Sequence, residues 1–351
     1  LYIALVYIFI TDPKKQKKYD ILFWVTQVSI IGMLVTFVWQ GYAAYSITFS
    51  TIHIFCSYAF IFFLYKDLNR SAPDDSLSLK FIYAGLFFLF LSSLGPWGLV
   101  AVVMKGLAGT DLYKQVIYFY LHFQYNGWFI FTIIGLWLKY YEQHGSKFTP
   151  GISNVAFNML FWSNIGAYAL SLLGFNLPSY IHIIGALSAF VQLIGLRFLY
   201  KLLYSNEVRV FQQGKGIPQL LFRFSFLMLF IKYIMQLISS LPEIGNAAYI
   251  SRDVAIAFLH LVMLGIMSAG MLGWYSGNGL LKSSNKTFKA GVHLFLFSFF
   301  LTEAILFYPA LMIWFKLGGI PNSAIYLFYL SISLLLSTIL MFISSLEKKT
   351  E

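Results

Sequence analysis

Residues 81–104 read FIYAGLFFLFLSSLGPWGLVAVVM, an uncharged run bounded by Lys80 and Lys105. At about 1.5 Å of rise per residue, a helix of this length crosses a hydrocarbon core about 30 Å thick. It carries no polar stripe that would suit a water-facing side. Nine further apolar runs are long enough to cross, at about 21–38, 46–65, 115–138, 152–175, 180–203, 218–240, 253–275, 290–315 and 323–345. The run 1–11 is too short to span. It is read as the inner half of a helix that starts upstream of Leu1. A signal peptide is the rival reading, but its basic residues would precede the apolar run, and here Lys14, Lys15, Lys17 and Lys18 follow it.

Composition agrees. Of the 351 residues 59% are hydrophobic and 11% charged, and mean hydropathy is +0.75. Soluble domains carry about 25% charged residues, so a soluble globule, a disordered chain and a nucleic-acid binder are excluded. The net charge of +11 reflects where the basic residues gather. Seventeen Lys and Arg fall in loops on one side of the expected helices and four, Lys105, Lys114, Arg252 and Lys316, on the other. The richer side is expected in the cytoplasm, with the C-terminus inside. Cys56 is the sole cysteine, so neither a disulfide framework nor a multi-Cys metal site is available. The expectation is an all-α integral membrane protein, a single transmembrane domain over 1–351 made of about eleven helices. Small-residue pairs Gly185/Ala189 and Gly265/Ala269 are read as helix packing. Gly95-Pro96-Trp97-Gly98 is expected to kink or break its helix.

Polar groups inside the spans are candidates for function, because leaving them unpaired in hydrocarbon is costly. His53, His122, His182 and His260 lie on four helices with the same expected direction, at similar depth in the outer third of the bilayer. A satisfied interhelical hydrogen bond explains any one of them. Four at one level point to a prosthetic group or metal, and imidazole suits haem iron or copper. His144 and His293 fall at the cytoplasmic boundary and are given no role. On a regular helix Tyr118, His122, Tyr125 and Asn126 share one face. Lys232 and Glu303 lie too deep to reach the interface easily, and either pair or line a proton path.

These residues resemble subunit I of the haem–copper oxidases and their nitric-oxide-reductase relatives. His122, Asn126 and Gly127 are similar to the family's sixth helix, where a metal-binding His is followed four residues later by Tyr or Glu and then often Gly. His260 resembles the second His of the family's His-x-His pair, and the Gly185 to Ala189 run resembles its Gly-x-x-Ser-Ala stretch. The resemblance implies a twelve-helix fold of which the first one and a half helices precede Leu1. It implies haem b with His260 as axial ligand, its partner lying upstream. His122 is implied as a metal ligand or distal group, and His53 and His182 as pocket residues.

The departures bear on activity. Phe258 stands where the pair has its first His, no His-His pair occurs near the sixth helix of this chain, and Asn126 stands in place of Tyr or Glu. Copper or another second metal therefore lacks most of its usual ligands, and an altered or lost reductase centre is expected. Arg252 and Lys316 lie near the histidine level and are expected to meet haem propionates or lipid headgroups. The implied role is electron transfer with a quinol or cytochrome partner, or diatomic-gas binding, in a bacterial inner membrane. The alternatives are a proton-coupled small-molecule or ion transporter using Lys232 and Glu303, and an assembly factor without a ligand.

Overall fold

The computed structural model describes residues 1–69, 76–175, 177–204, 215–241, 244–245, 251–315 and 320–346. These residues are helical, with short turns between the helices. Helix α1 is Tyr2–Phe9, α2 Pro13–Gln40, α3 Ala44–Leu68 and α4 Leu77–Met104. Helix α5 has three segments: Asp111–His122, a π-helical Phe123–Phe129 and Ile130–Gln143. Helix α6, Pro150–Leu172, ends in a 3₁₀ segment, Ala167–Leu172. Then come α7 Tyr180–Leu203, α8 Ile217–Ser239, α9 Arg252–Gly277, α10 Lys286–Phe315 and α11 Ser323–Leu346. Within α9 the segment Leu261–Ser268 is also π-helical.

Nine of these helices are long and apolar enough to span a bilayer: all except α1 and α5. The expected span 115–138 is helical, but His122, Gln124, Tyr125 and Asn126 make α5 more polar than the others. The chain is therefore a polytopic helical membrane protein. Its surface agrees. Trp24, Val28, Leu34 and Val38 on α2 and Phe328, Tyr329 and Leu335 on α11 are all exposed, and apolar faces of that extent are tolerated against lipid tails, not water.

Several helices begin earlier than hydropathy places them. Asp12 caps α2 by accepting a 2.9 Å hydrogen bond from the Lys14 backbone N–H, and Pro13 occupies the first turn. Lys14, Lys15, Lys17 and Lys18 thus ride on the opening turns of a helix rather than in a loop. Pro96 does not break α4, which continues to Met104.

The helices form two compact units, Leu1–Leu136 and Trp137–Glu351, divided within α5. In the first, α2 packs on α3 and α4 on the opening segments of α5. The α4–α5 seam depends on glycine: a Cβ on Gly127 would come within 2.5 Å of Phe88, and one on Gly95 within 2.6 Å of Tyr120. Ser92 Oγ donates to Gln124 Oε1 across the seam at 2.8 Å. At one end of the α2–α3 pair, buried Asp67 meets Lys18 at 2.6 Å and Lys15 at 3.5 Å, and accepts a 2.8 Å hydrogen bond from Tyr19.

In the second unit α6 packs on α7, α7 on α8, α8 on α9, α9 on α10 and α10 on α11. Both small-residue pairs sit at contacts, as the sequence predicts. Gly185 faces Leu170, Gly265 lies between Met228 and Phe299, and Ala189 and Ala269 are fully buried.

Candidate functional site

Helices α5 and α9 share a local plan. Thr110 caps α5 by accepting from the Tyr113 N–H, and Ser251 caps α9 by accepting from the Val254 N–H, each at 3.4 Å. Each first turn carries an acid, Asp111 or Asp253, which favours the positive end of the helix dipole. Each α-segment ends on a histidine, His122 or His260, and passes directly into a π-segment. A π-segment fits an extra residue into the helix and misaligns the backbone ladder, and such segments concentrate at functional sites. In α9 a neighbour supports it: Ser225 Oγ of α8 donates to the Ile266 carbonyl at 2.6 Å.

In the second unit, His260 and Glu303 form the central contact. His260 Nδ1 lies 3.6 Å from Glu303 Oε1, linking α9 to α10. This exceeds hydrogen-bond length and is an electrostatic contact. The Glu303 side chain is 10% exposed and that of His260 is 36% exposed. The carboxylate is thus enclosed while the imidazole keeps an open edge.

Lys232 on α8 is fully buried, and its Nζ has no hydrogen-bond or ion-pair partner among the described residues. The Tyr233 ring lies 4.4 Å from Nζ. One turn away, the Oε1 of buried Gln236 has no hydrogen-bond partner among the described residues. Of the two expected alternatives for Lys232 and Glu303, the pairing is not formed: no such ion pair occurs among the described residues, and Glu303 lies against His260. Helix rotation decides this, because depth alone does not say which side chains of α8, α9 and α10 face one another.

The remaining candidates separate. In the first unit, His53 Nδ1 lies 3.2 Å from Ser29 Oγ, an α2–α3 hydrogen bond of the structural kind. Buried His122 has Asn126 Nδ2 3.1 Å from its Nδ1, while Asn126 Oδ1 is unpartnered among the described residues. The π-segment changes the register of the expected four-residue face, yet the His122–Asn126 contact survives it. In the second unit, half-buried His182 opens α7, and its Nδ1 has no partner among the described residues. Arg252 is the exposed first residue of α9. Lys316 lies outside the described residues.

Sequence reasoning missed the π-segments. The polar cluster after His122 was a usable hint for the first segment, while Leu261–Ser268 carries none. Among the described residues no group of three or more His, Cys, Asp or Glu side chains converges as a metal site. No known family model matches the chain, and no curated protein does.

Proposed function

We propose that this chain is a haem-binding integral membrane protein similar to subunit I of the haem–copper oxidases. Its role would be electron transfer or diatomic-gas binding, with an altered or lost reductase centre. The observation that carries the reading is the seating of His260 Nδ1 against the Glu303 carboxylate at the mouth of a π-segment. A carboxylate 3.6 Å from one ring nitrogen favours a proton on that nitrogen electrostatically and so leaves Nε2 to coordinate.

The donor chemistry fits haem iron, which takes one or two axial imidazoles. His122, with Asn126 on its Nδ1, is disposed the same way within its own unit. When bound, haem b supplies one-electron chemistry at its iron. The chain's residues bind and tune. His260 would supply a nitrogen, Glu303 would raise its basicity electrostatically, and Arg252 offers a guanidinium suited to a propionate. His182, in the same unit as His260, is a pocket residue in this reading. The twelve-helix fold, the bacterial inner membrane, the cytoplasmic C-terminus and a quinol or cytochrome partner belong to the same proposal, the orientation supported by the basic-residue split.

The test is a visible spectrum of the full-length protein purified after expression with ample haem. A Soret band that His260→Ala abolishes or shifts is expected. Folded protein without a Soret band overturns the reading. A band unchanged in His260→Ala refutes the ligand assignment.

A second reading, proton-coupled transport of a small molecule or ion, is favoured by one observation: Lys232 is buried on α8 without a carboxylate partner among the described residues. Intramembrane ionisable groups of that kind often mark substrate or proton paths. Pyranine-loaded proteoliposomes that acidify with wild-type protein, but not with Lys232→Met or Glu303→Gln, would establish it. Pigment-free protein giving no flux would eliminate it.

A further inference from the structure

The π-segment of α9, Leu261–Ser268, joins two stretches that are held differently. Downstream of it the helix is locked by close packing. Ala269 is fully buried, and a Cβ on Gly273 would come within 3.2 Å of Leu221 of α8. Within the segment Gly265 is pinned as well, since a Cβ there would meet Phe299 of α10 at 2.9 Å and Met228 of α8 at 3.0 Å. Upstream, Arg252–His260 buries only Ala257. A change of register in the segment would therefore turn the upstream stretch and leave the downstream one in place.

A π-segment takes up one residue more than the α-helix it replaces. If Leu261–Ser268 relaxed to an α-helix, each upstream residue would move by one helical position, about 100° around the axis and about 1.5 Å along it. At the outer radius of a helix, about 5–6 Å, that swing carries a side chain roughly 8 Å. His260 Nδ1 lies 3.6 Å from Glu303 Oε1, so the contact would be lost, and Leu261 would take the place that His260 leaves. The π-register is what sets an imidazole, and not an isobutyl group, against the carboxylate.

The distorted ladder is visible at the exit of the segment. There the Ala269 N–H bonds the Ile266 and Leu264 carbonyls, three and five residues back, where a regular α-helix would place its bond four back. Two hydroxyls support this arrangement. Ser268 Oγ donates to the Met263 carbonyl, five residues back, at 2.7 Å. That bond is internal to α9. Fully buried Ser225 of α8 donates to the Ile266 carbonyl at 2.6 Å, and so ties the distortion to a neighbouring helix.

We propose that Ser225 is a positioning residue for the candidate site: by holding the Ile266 carbonyl it keeps α9 in the π-register that sets His260 against Glu303. Packing alone explains a buried serine, but not a register that depends on its hydroxyl. The consequence for function rests on the proposed role of His260, whereas the geometry is testable without haem.

Paired cysteines in the full chain, in membranes, read the register. Glu303→Cys is combined with His260→Cys or with Leu261→Cys, buried Cys56 being replaced by alanine. Each pair is treated with a short bis-methanethiosulfonate crosslinker and scored by peptide mass spectrometry. With Ser225 present, positions 260 and 303 should bridge in preference to 261 and 303. Ser225→Ala should raise the ratio of the 261–303 to the 260–303 product by about 3- to 18-fold, the bias one interhelical hydrogen bond can impose in a membrane. Deleting Met263 removes the surplus residue, and should keep the 260–303 product dominant even with Ser225→Ala. An unchanged ratio in Ser225→Ala, or equal loss of both products, overturns the proposal. So does failure of the deletion to hold the 260–303 product. The crosslinks need no pigment, so a missing Soret band would leave their result standing. A shifted ratio with a Soret band unaffected by Ser225→Ala would fault the ligand assignment of His260 and uphold the register.

Discussion

Replacing Lys232 with methionine should stabilise this protein. The Nζ atom is fully buried in the second unit, without a hydrogen bond or carboxylate among the described residues. An unsatisfied buried polar group costs about 1–3 kcal/mol, and more when it carries charge. The Tyr233 ring offsets part of this, since a cation over an aromatic face recovers about 0.5–2 kcal/mol. Methionine keeps the length of the stem and fills the same space, so no cavity opens. Substituting apolar residues for buried charge is commonly neutral or stabilising by about 1–4 kcal/mol. A gain of about 2 kcal/mol would raise the unfolding midpoint by about 4–8 °C for a unit of this size. Lys232→Ala is the control. It removes the amine and the stem together, and its cavity should cost about 2–3 kcal/mol, leaving no net gain. The assay is thermal unfolding in detergent followed by tryptophan fluorescence, with buried Trp274 as a reporter in the same unit. A midpoint for Lys232→Met as low as that of Lys232→Ala would refute the reasoning, because the amine would then be contributing to the fold. Greater stability combined with lost activity would show that Lys232 is held at a cost to stability for its function.

Other positions give independent checks. Ser225→Ala removes the donor to the Ile266 carbonyl and should destabilise by about 0.6–1.7 kcal/mol, measurable as a lower midpoint in the same assay. Gly127→Val would drive a side chain into Phe88 and should cost about 1–3 kcal/mol, whereas Gly151→Ala, where nothing lies within 4 Å, should be nearly neutral. Asp67→Asn leaves Lys15, Lys18 and Tyr19 facing a neutral amide. Because both lysines are about a third exposed, the loss should be about 1–2 kcal/mol and should shrink as salt is added. For the proposed pigment, Glu303→Gln should keep the Soret band but shift the haem midpoint potential. An unchanged potential would mean that the carboxylate does not tune His260.

Much of the fold was legible because hydrocarbon imposes a local rule. A spanning segment must satisfy its own backbone over about 20 apolar residues, so length and hydropathy locate it without reference to its neighbours. Residues 81–104, 180–203 and 323–345 are recovered to within a few positions for that reason. The early start of α2 was less visible, since capping by Asp12 and Pro13 outweighs the hydrophilicity of Lys14 to Lys18. The candidate site was legible as residue types only. His260, Lys232 and Glu303 stood out as polar groups at depth.

What the chain by itself determined, then, is that it crosses a membrane repeatedly, which residues lie inside each span, and which ionisable groups are carried there. Tertiary structure decided how those groups associate. Glu303 meets His260 and not Lys232, because a partner is set by the rotation of one helix against another, to which hydropathy is blind. It also decided where the α-helical ladder gives way. A π-segment follows each of His122 and His260, and the Ile266 carbonyl is met by Ser225 from 41 residues away in the chain. A local pattern cannot encode a backbone distortion whose stabilising partner arrives only when the helices pack.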